Sequence, residues 1–284
     1  MNSFRDRTAF ITGGAGGIGL SVARSLGKRG AAVMLADLDG EAAARAAATL
    51  SDEGIVAASV GCDVADASAV ENAARETLQR FGKVHIVVNN AGVSLDGKTG
   101  EIPLEDWRWI VDINLMGVVN GVEIFTPLIR SHGEGGYIVN TASIAGLWPT
   151  ARSGPYTATK FAVVGYSEAI RHDLEDDNIG VSVVCPGWVR TGIHETSERR
   201  PSRHGSPADT EHTQSDAMRM AEREIGRGLD PAVVGEWIAD SMAARRFYIF
   251  THPDMAGVIM SRARAMRVDY AACMDDPRFA REEQ

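Results

Sequence analysis

The stretch ITGGAGGIG, Ile11–Gly19, decides the fold, and it reads in two registers. Gly14, Gly16 and Gly19 spell G-x-G-x-x-G, whereas Thr12, Gly13, Gly17 and Gly19 spell T-G-x-x-x-G-x-G. In either register the glycines join a short apolar run, TAFIT, to an amphipathic stretch from Gly17 to Arg29. A turn of this kind points unpaired backbone N–H groups and the positive end of a helix dipole at a diphosphate. Only glycine lets the phosphates approach so closely. A tight strand-to-helix turn without a ligand is the plainer alternative, and nine residues alone do not choose between them.

Working outward, Asp37 closes the next apolar run, AAVMLAD, about 20 residues on, where a dinucleotide pattern places a carboxylate for the ribose hydroxyls. Asp37 is also a candidate helix N-cap, with Asp39 its rival. A carboxylate on the ribose disfavours a 2′-phosphate: like charges ~4 Å apart at an effective dielectric of about 20 repel by ~4 kcal/mol. Neither Gly14, Ala15 and Gly16 nor Leu38 supplies a compensating cation, so NAD is expected over NADP.

The alternation continues along the chain. Amphipathic stretches at 40–54 and from Asp66 to Phe81 separate the apolar runs IVAASV and VHIVVNN. Further helices are expected from Leu104 past Asn120 and from Pro155 to about Asp176, around the strands GYIVNTAS and GVSVVCPG. Gly30, Gly54 and Gly82 fall where left-handed residues end helices. Short apolar strands alternating with helices predict an α/β fold: a single-domain, doubly wound parallel sheet of about seven strands, Rossmann-type, spanning 1–284. Residues 190–228, rich in Arg, Ser, His, Glu and Pro, read as an insertion with one helix near DAMRMAERE, and likeness to known folds of this kind implies a helical lid there. A helix from Pro231 to Arg245, the strand FYIFT and a last helix from Met255 to Tyr270 follow, with 252–284 a C-terminal helical extension.

Composition narrows the function. Of 284 residues 44% are hydrophobic and 24% charged, and the net charge of -9 argues against nucleic acid or anionic membrane as a partner. No secretory leader pattern opens the chain, and no apolar stretch of the ~18 residues a membrane span needs is expected. Cys62, Cys185 and Cys273 are odd in number and far apart, which suggests neither disulfides nor zinc and fits a reducing, cytoplasmic setting. The seven histidines suggest no metal ligand set.

A second constellation lies in SGPYTATKFA. Tyr156 and Lys160 stand four residues apart on one helix face, where an ammonium reaches the space beside a phenol. A phenol of pKa about 10 is a poor base at neutral pH, and a cation within about 4–6 Å lowers it, so Lys160 is expected to supply part of the shift that makes Tyr156 more acidic, with the positive nicotinamide ring of bound NAD the second contributor. Ser143, in NTASIAG at the end of a strand, stands where such sheets bind ligands and can donate to a substrate carbonyl. Taken singly, Ser143 would equally cap a turn, and the tyrosine and lysine would be ordinary surface residues.

With these residues in view the chain resembles the short-chain dehydrogenase/reductase family. Its motifs appear in the family's order: Thr12 to Gly19, Asp63-Val64, NNAG at Asn89 to Gly92, Asn114 in DINLMG, Ser143, Tyr156 to Lys160, and PGWVRT at Pro186 to Thr191. The resemblance implies that Gly13, Gly17, Ile18 and Gly19 form the phosphate turn, which chooses the second register. It further implies that Asp37 and Leu38 face the adenosine ribose and Asp63 and Val64 the adenine. Asn90, Ala91 and Gly92 would lie along the cofactor, with Pro186, Gly187, Val189 and Thr191 near the nicotinamide carboxamide. Tyr156 is the implied acid/base, Lys160 binds the nicotinamide ribose, Ser143 steadies the substrate oxygen, and Asn114 holds a water linking Lys160 to solvent. The implied reaction is hydride transfer between NAD and a secondary alcohol or ketone, with no metal.

Substrate contacts are expected from Ser94, Leu95, Ile144, Leu147, Trp148, Trp188, Ile193 and His194, which suggest a hydrophobic alcohol, aromatic and polycyclic ones included. Trp148 and Trp188 would alternatively pack under a loop or at a subunit contact. The C-terminal shape resembles a bacterial subgroup acting on aryl and lignin-derived alcohols. A homodimer or homotetramer is expected by family likeness. Two rivals stand beside this reading. A non-catalytic NAD sensor has no need of Ser143, Tyr156, Lys160 and Asn114 together. An extended-family epimerase or dehydratase would share the glycine offsets Gly13, Gly16 and Gly19 but not NNAG or so short a C-terminal region.

Overall fold

The computed structural model describes residues 4–200 and 216–279. Seven parallel strands form one sheet in the order β3-β2-β1-β4-β5-β6-β7. They are β1 (Thr8–Thr12), β2 (Ala32–Asp37), β3 (Ala57–Gly61), β4 (Ile86–Asn89), β5 (Gly136–Thr141), β6 (Ile179–Cys185) and β7 (Tyr248–Phe250). The helices are α1 (Gly17–Lys28), α2 (Gly40–Asp52), α3 (Ala67–Phe81), α4 (Leu104–Val111), α5 (Gly117–His132), α6 (Gly154–Asp173), α7 (Asp216–Arg227), α8 (Pro231–Ala243) and α9 (Ala256–Met274).

Strand parity explains the two layers. Ile11, Leu35, Val88 and Val139 face one side, where Val22 and Leu26 of α1, Leu50 of α2 and Ile238 of α8 cover them. Phe10, Met34, Val87 and Ile138 face the other, under Val70 of α3, Phe125 of α5 and Val163 of α6. Both faces being buried, the strands are apolar throughout, as the short runs implied. Strand order reverses between β1 and β4, and open α/β sheets bind ligands in the crevice beyond such a point. That crevice is flanked by Gly13 and by Asn90 to Gly92.

Helix boundaries follow local chemistry. Asp39, Asp66 and Asp230 each cap their helix by accepting a backbone N–H two or three residues on. Asp39, not Asp37, is therefore the cap of α2. Gly30, Gly54 and Gly82 have positive φ, as the helix-stop reading requires.

Two expectations need amending. The run from α4 through α5, Leu104–His132, is after all long and apolar enough to cross a membrane by length and composition. It packs as a core helix, with Trp109, Ile110, Phe125 and Ile129 buried. The chain also divides into two compact units at 251/252. The second, residues 252–284, consists in its described part of α9 flanked by short 3₁₀ turns, with no buried residue on that helix. Within the expected lid, 192–199 form a 3₁₀ segment and 216–227 the helix α7, while 201–215 lie outside the described residues.

Candidate active site

The phosphate turn is built around two glycines. Gly13 has φ +61, and a Cβ on Gly19 would stand 2.2 Å from the Gly13 carbonyl oxygen, so a side chain there would push the turn apart. Nothing lies within 4 Å of a Cβ built on Gly16, so the fold places no demand on that position. Thr12 completes the T-G register: its Oγ1 accepts the N–H groups of Asn90 (2.9 Å) and Ala91 (3.0 Å), and Asn90 Nδ2 donates to the Thr12 carbonyl (3.1 Å). The first and fourth strand ends are thereby stitched together across the crevice.

This edge fits a dinucleotide. The N-cap of α1, Gly16, offers no side chain to its first-turn N–H groups and the turn carries no acidic residue, whereas α2, α3 and α8 are each capped by their own aspartate. An anion is the partner such a bare helix end accepts. Asp37 ends β2 beside the turn, its carboxylate accepting N–H bonds from Ala15 (3.0 Å) and Asp39 (3.2 Å). Leu38 next to it is half-exposed. Thr191 lies against Gly17, its Cγ2 3.0 Å from where a Cβ would be, so the end of the PGWVRT segment meets the start of α1. A cleft of about 670 Å³ opens here, lined by Gly17, Arg24, Thr191, His194, Ile225 and Asp230; neither Ser143 nor Tyr156 borders it.

The proton-handling residues meet at the ends of β5 and β4. Ser143 is extended, caps the 3₁₀ turn Ile144–Gly146 by accepting the Ala145 N–H (3.1 Å), and hydrogen-bonds the Tyr156 phenol. The capping reading of this serine holds. Lys160 is buried at 3% exposure, and its Nζ donates to the Thr141 carbonyl at 2.9 Å. Burial lowers its pKa to about 8.

Lys160 is not among the groups that shift the Tyr156 phenol in the chain by itself. Burial raises the phenol's pKa, the Ser143 hydrogen bond only partly offsets this, and Asp96 raises it further. The physical reason is orientation: the ammonium lies over the ring, 5.7 Å from its centroid, and is held to Thr141 rather than to the phenol oxygen.

Asn114 sits in a π-helical turn, Asp112–Met116, between α4 and α5. Such single turns widen the helix and recur at functional sites. Its amide clasps the loop after β4: Oδ1 accepts the Val93 N–H (2.8 Å), and Nδ2 donates to the Val93 carbonyl (2.9 Å) and to Thr159 Oγ1 (3.3 Å). Protein partners thus engage both polar atoms of this amide.

Other expected contacts divide. Asp63 turns its carboxylate to the Ala65 N–H (3.0 Å), and Val64 packs in a small core with Val93, Trp109 and Ile113. Ser94 donates to the Ile193 carbonyl (3.0 Å), joining the β4 loop to the 3₁₀ segment. Ile144, Leu147 and Trp148 are all half-buried, and Leu147 packs against the core on the α5 and α6 side of the sheet. Pro186 accepts the Ile144 N–H (2.8 Å), and half-buried Gly187 follows it. Val189 is buried and bridged to Leu229, while Trp188 is exposed. Arg200 reaches back from the same segment, pairing with Asp106 and stacking over Trp109 at 4.9 Å.

At the opposite edge of the sheet His85, His132 and Glu134 place their ligand atoms within 4.8 Å of one another. Hydrogen bonding leaves no metal site. His85 Nδ1 accepts the Thr8 N–H (3.1 Å), so Nε2 carries the proton that meets Glu134 (3.1 Å). His132 Nδ1 accepts the Glu134 N–H (3.1 Å), and Nε2 donates to the Val84 carbonyl (2.9 Å). Every ring nitrogen has its task.

A family model described as short chain dehydrogenase matches residues 7–202. The chain is 34% identical over 277 residues to a CLA biosynthesis dehydrogenase/reductase of Lactiplantibacillus plantarum, covering 95% of this chain and 96% of that one. It is also 34% identical over 283 residues to a C alpha-dehydrogenase of Sphingobium sp., covering 99% and 92%. Its structure is similar to that of a short chain dehydrogenase/reductase from Burkholderia phymatum in complex with NAD, with a TM-score of 0.91, 36% identity and coverage of 95% and 97%.

Proposed function

The chain belongs to the short-chain dehydrogenases, and from that premise we propose that it is an NAD-dependent oxidoreductase of hydrophobic secondary alcohols and their ketones, with Tyr156 as acid/base. The observation that carries this reading is the Tyr156 phenol engaged by the Ser143 hydroxyl, beside a lysine buried at the same strand ends. When bound, NAD supplies the hydride acceptor and a positively charged ring.

The chain's own residues do the rest. In oxidation the alcohol proton passes to the Tyr156 oxygen while Ser143 donates a hydrogen bond to the substrate oxygen, which becomes a carbonyl as the carbinol hydride departs. In reduction Tyr156 returns the proton. A phenol raised by burial is a neutral donor at ordinary pH, so reduction is ready at neutrality and oxidation gains as pH rises. Lys160, held by Thr141, orients the nicotinamide ribose, and Asn114 fixes the loop that carries Gly92 and Val93. Asp37 favours NAD through the repulsion a 2′-phosphate would meet, with Leu38 offering no cation.

The hydrophobic substrate class is supported by half-buried Ile144 and Trp148 beside Ser143. The reading extends to a cytoplasmic homodimer or homotetramer. Three unbridged thiols fit a reducing compartment, and Trp237, Tyr248 and Phe250 leave aromatic surface of the kind a second copy covers. The test is steady-state reduction of NAD, with NADP alongside, over a panel of hydrophobic secondary alcohols. Turnover with NAD supports the proposal; turnover with NADP alone overturns the role given to Asp37.

A further inference from the structure

Asp96 follows the Asn89–Gly92 motif by four residues and belongs to none of the family-like motifs in this sequence. Its loop is fastened to the start of α6. The Gly97 N–H donates to the Arg152 carbonyl at 2.7 Å, and Gly97 bridges to Ser153, three residues before Tyr156. The close approach of this loop to Ile102 needs glycine at 97, where a Cβ would meet the isoleucine side chain at 2.5 Å. Leu95, next in the loop, packs with Tyr156 against Trp109 and Ile110. Asp96 is half-buried, and because its neighbour Leu95 and Tyr156 pack against the same small core, its loop runs beside the helix start that carries the phenol.

Asp96 differs from the aspartates that close strands or open helices around the sheet. Asp37, Asp39, Asp63, Asp66 and Asp230 each accept a backbone N–H. Among the described residues Asp96 makes no side-chain hydrogen bond or ion pair. Burial raises its pKa, and the more distant Arg152 charge offers the only offset. A carboxylate partly withdrawn from water and given no donor by the protein keeps its acceptor capacity for a ligand.

We propose that Asp96 determines substrate selection, its carboxylate accepting a hydrogen bond from a second, uncharged hydroxyl on the substrate. Diols and hydroxy-ketones are then the preferred subset of the alcohols and ketones proposed above, and the inference rests on that reading. An ammonium in place of the hydroxyl is disfavoured, because the buried Lys160 and an oxidised nicotinamide would both repel it.

The experiment compares styrene glycol with its deoxy counterpart, the secondary alcohol ending in a methyl group, and with the amino alcohol. Each is measured for kcat and KM with NAD and for binding by calorimetry, in wild type, Asp96→Ala and Asp96→Asn. The wild type is expected to prefer the glycol by about tenfold or more in kcat/KM, a charge-assisted hydrogen bond's worth. Asp96→Ala is expected to lose that preference through KM while its rate on the deoxy alcohol changes by less than about threefold, with Asp96→Asn intermediate. Melting temperatures close to the wild type's establish that both variants fold. Equal losses on glycol and deoxy alcohol, no discrimination in binding by the wild type, or preference for the amino alcohol overturns the proposal. Tyr156→Phe separates the two readings: if it still turns over alcohol the assigned acid/base is wrong, whereas retained tighter binding of the glycol by that variant supports Asp96 on its own.

Discussion

The two edges of the sheet treat polar groups in opposite ways. At the amino edge His85, His132 and Glu134 are joined by Arg7 and Lys83 into a network in which each ring nitrogen has one donor or acceptor role and Glu134 is drawn down to about 2. At the carboxyl edge Lys160 is buried and lowered to about 8, Tyr156 is raised, and Asp96 has no hydrogen-bond donor. Saturated polar groups hold strands in register. Groups removed from water without full compensation store the capacity to bind and to move a proton, at a cost in stability.

Changes at Lys160 give the largest expected contrast. Lys160→Met is expected to lower kcat/KM for NAD reduction by about 10²–10³. Its stability should also change with pH in a defined way. The folded chain holds Lys160 with a pKa of about 8 against 10.5 unfolded, so the unfolded state binds more protons in that window and wild-type stability rises as pH rises through it. The span corresponds to about 3 kcal/mol. Denaturant unfolding at stepped pH should show the rise in wild type and its loss in Lys160→Met; parallel curves would break the contrast.

Cofactor choice comes next. Asp37→Ser removes the charge facing a 2′-phosphate and is expected to raise kcat/KM with NADP by about ten- to a hundredfold relative to NAD, below the ~4 kcal/mol ceiling because the serine supplies no cation. Unchanged preference would relieve Asp37 of that role.

The amino edge should respond in stability alone. His85→Ala leaves the buried Thr8 N–H without its acceptor, a loss of about 1–3 kcal/mol read as a melting temperature lower by several degrees. kcat and KM with NAD should stay within about twofold, as expected of a residue remote from the chemistry. The smallest effect is on acidification. Burial lowers the pKa of His85, so its unfolded form takes up protons first and the stability it contributes falls as pH drops below about 6.5. Glu134 adds its own loss only between 4.5 and about 2. Melting curves of wild type and His85→Ala should converge as pH falls through the histidine range.

Much of this architecture is legible in the chain because its signals are local. The apolar runs around Phe10, Met34 and Val87 alternate faces with period two, and Gly13 and Gly19 are demanded by a turn only a few residues long. The parts that escape are those made by distant residues. His85 and Glu134 are 49 positions apart, and nothing in either neighbourhood announces the other. The π-turn at Asn114 interrupts a helix whose apolar periodicity runs on, so only the clasp on Val93 reveals it. Lys160 is correctly placed four residues after Tyr156, but helix spacing does not say where its ammonium points, and Thr141 decides that. Asp96 acquires meaning only through the bridge from Gly97 to Ser153, which spacing along the chain does not contain.

The most direct test of the account is the rate of alcohol oxidation with saturating NAD as a function of pH, in wild type and Tyr156→Phe. The account predicts a wild-type rate that climbs as pH rises, following ionisation of the Tyr156 phenol, and a variant slower by about 10²–10⁴ with that climb abolished. A variant that keeps the wild-type rate, or the same pH-dependent climb, would contradict it.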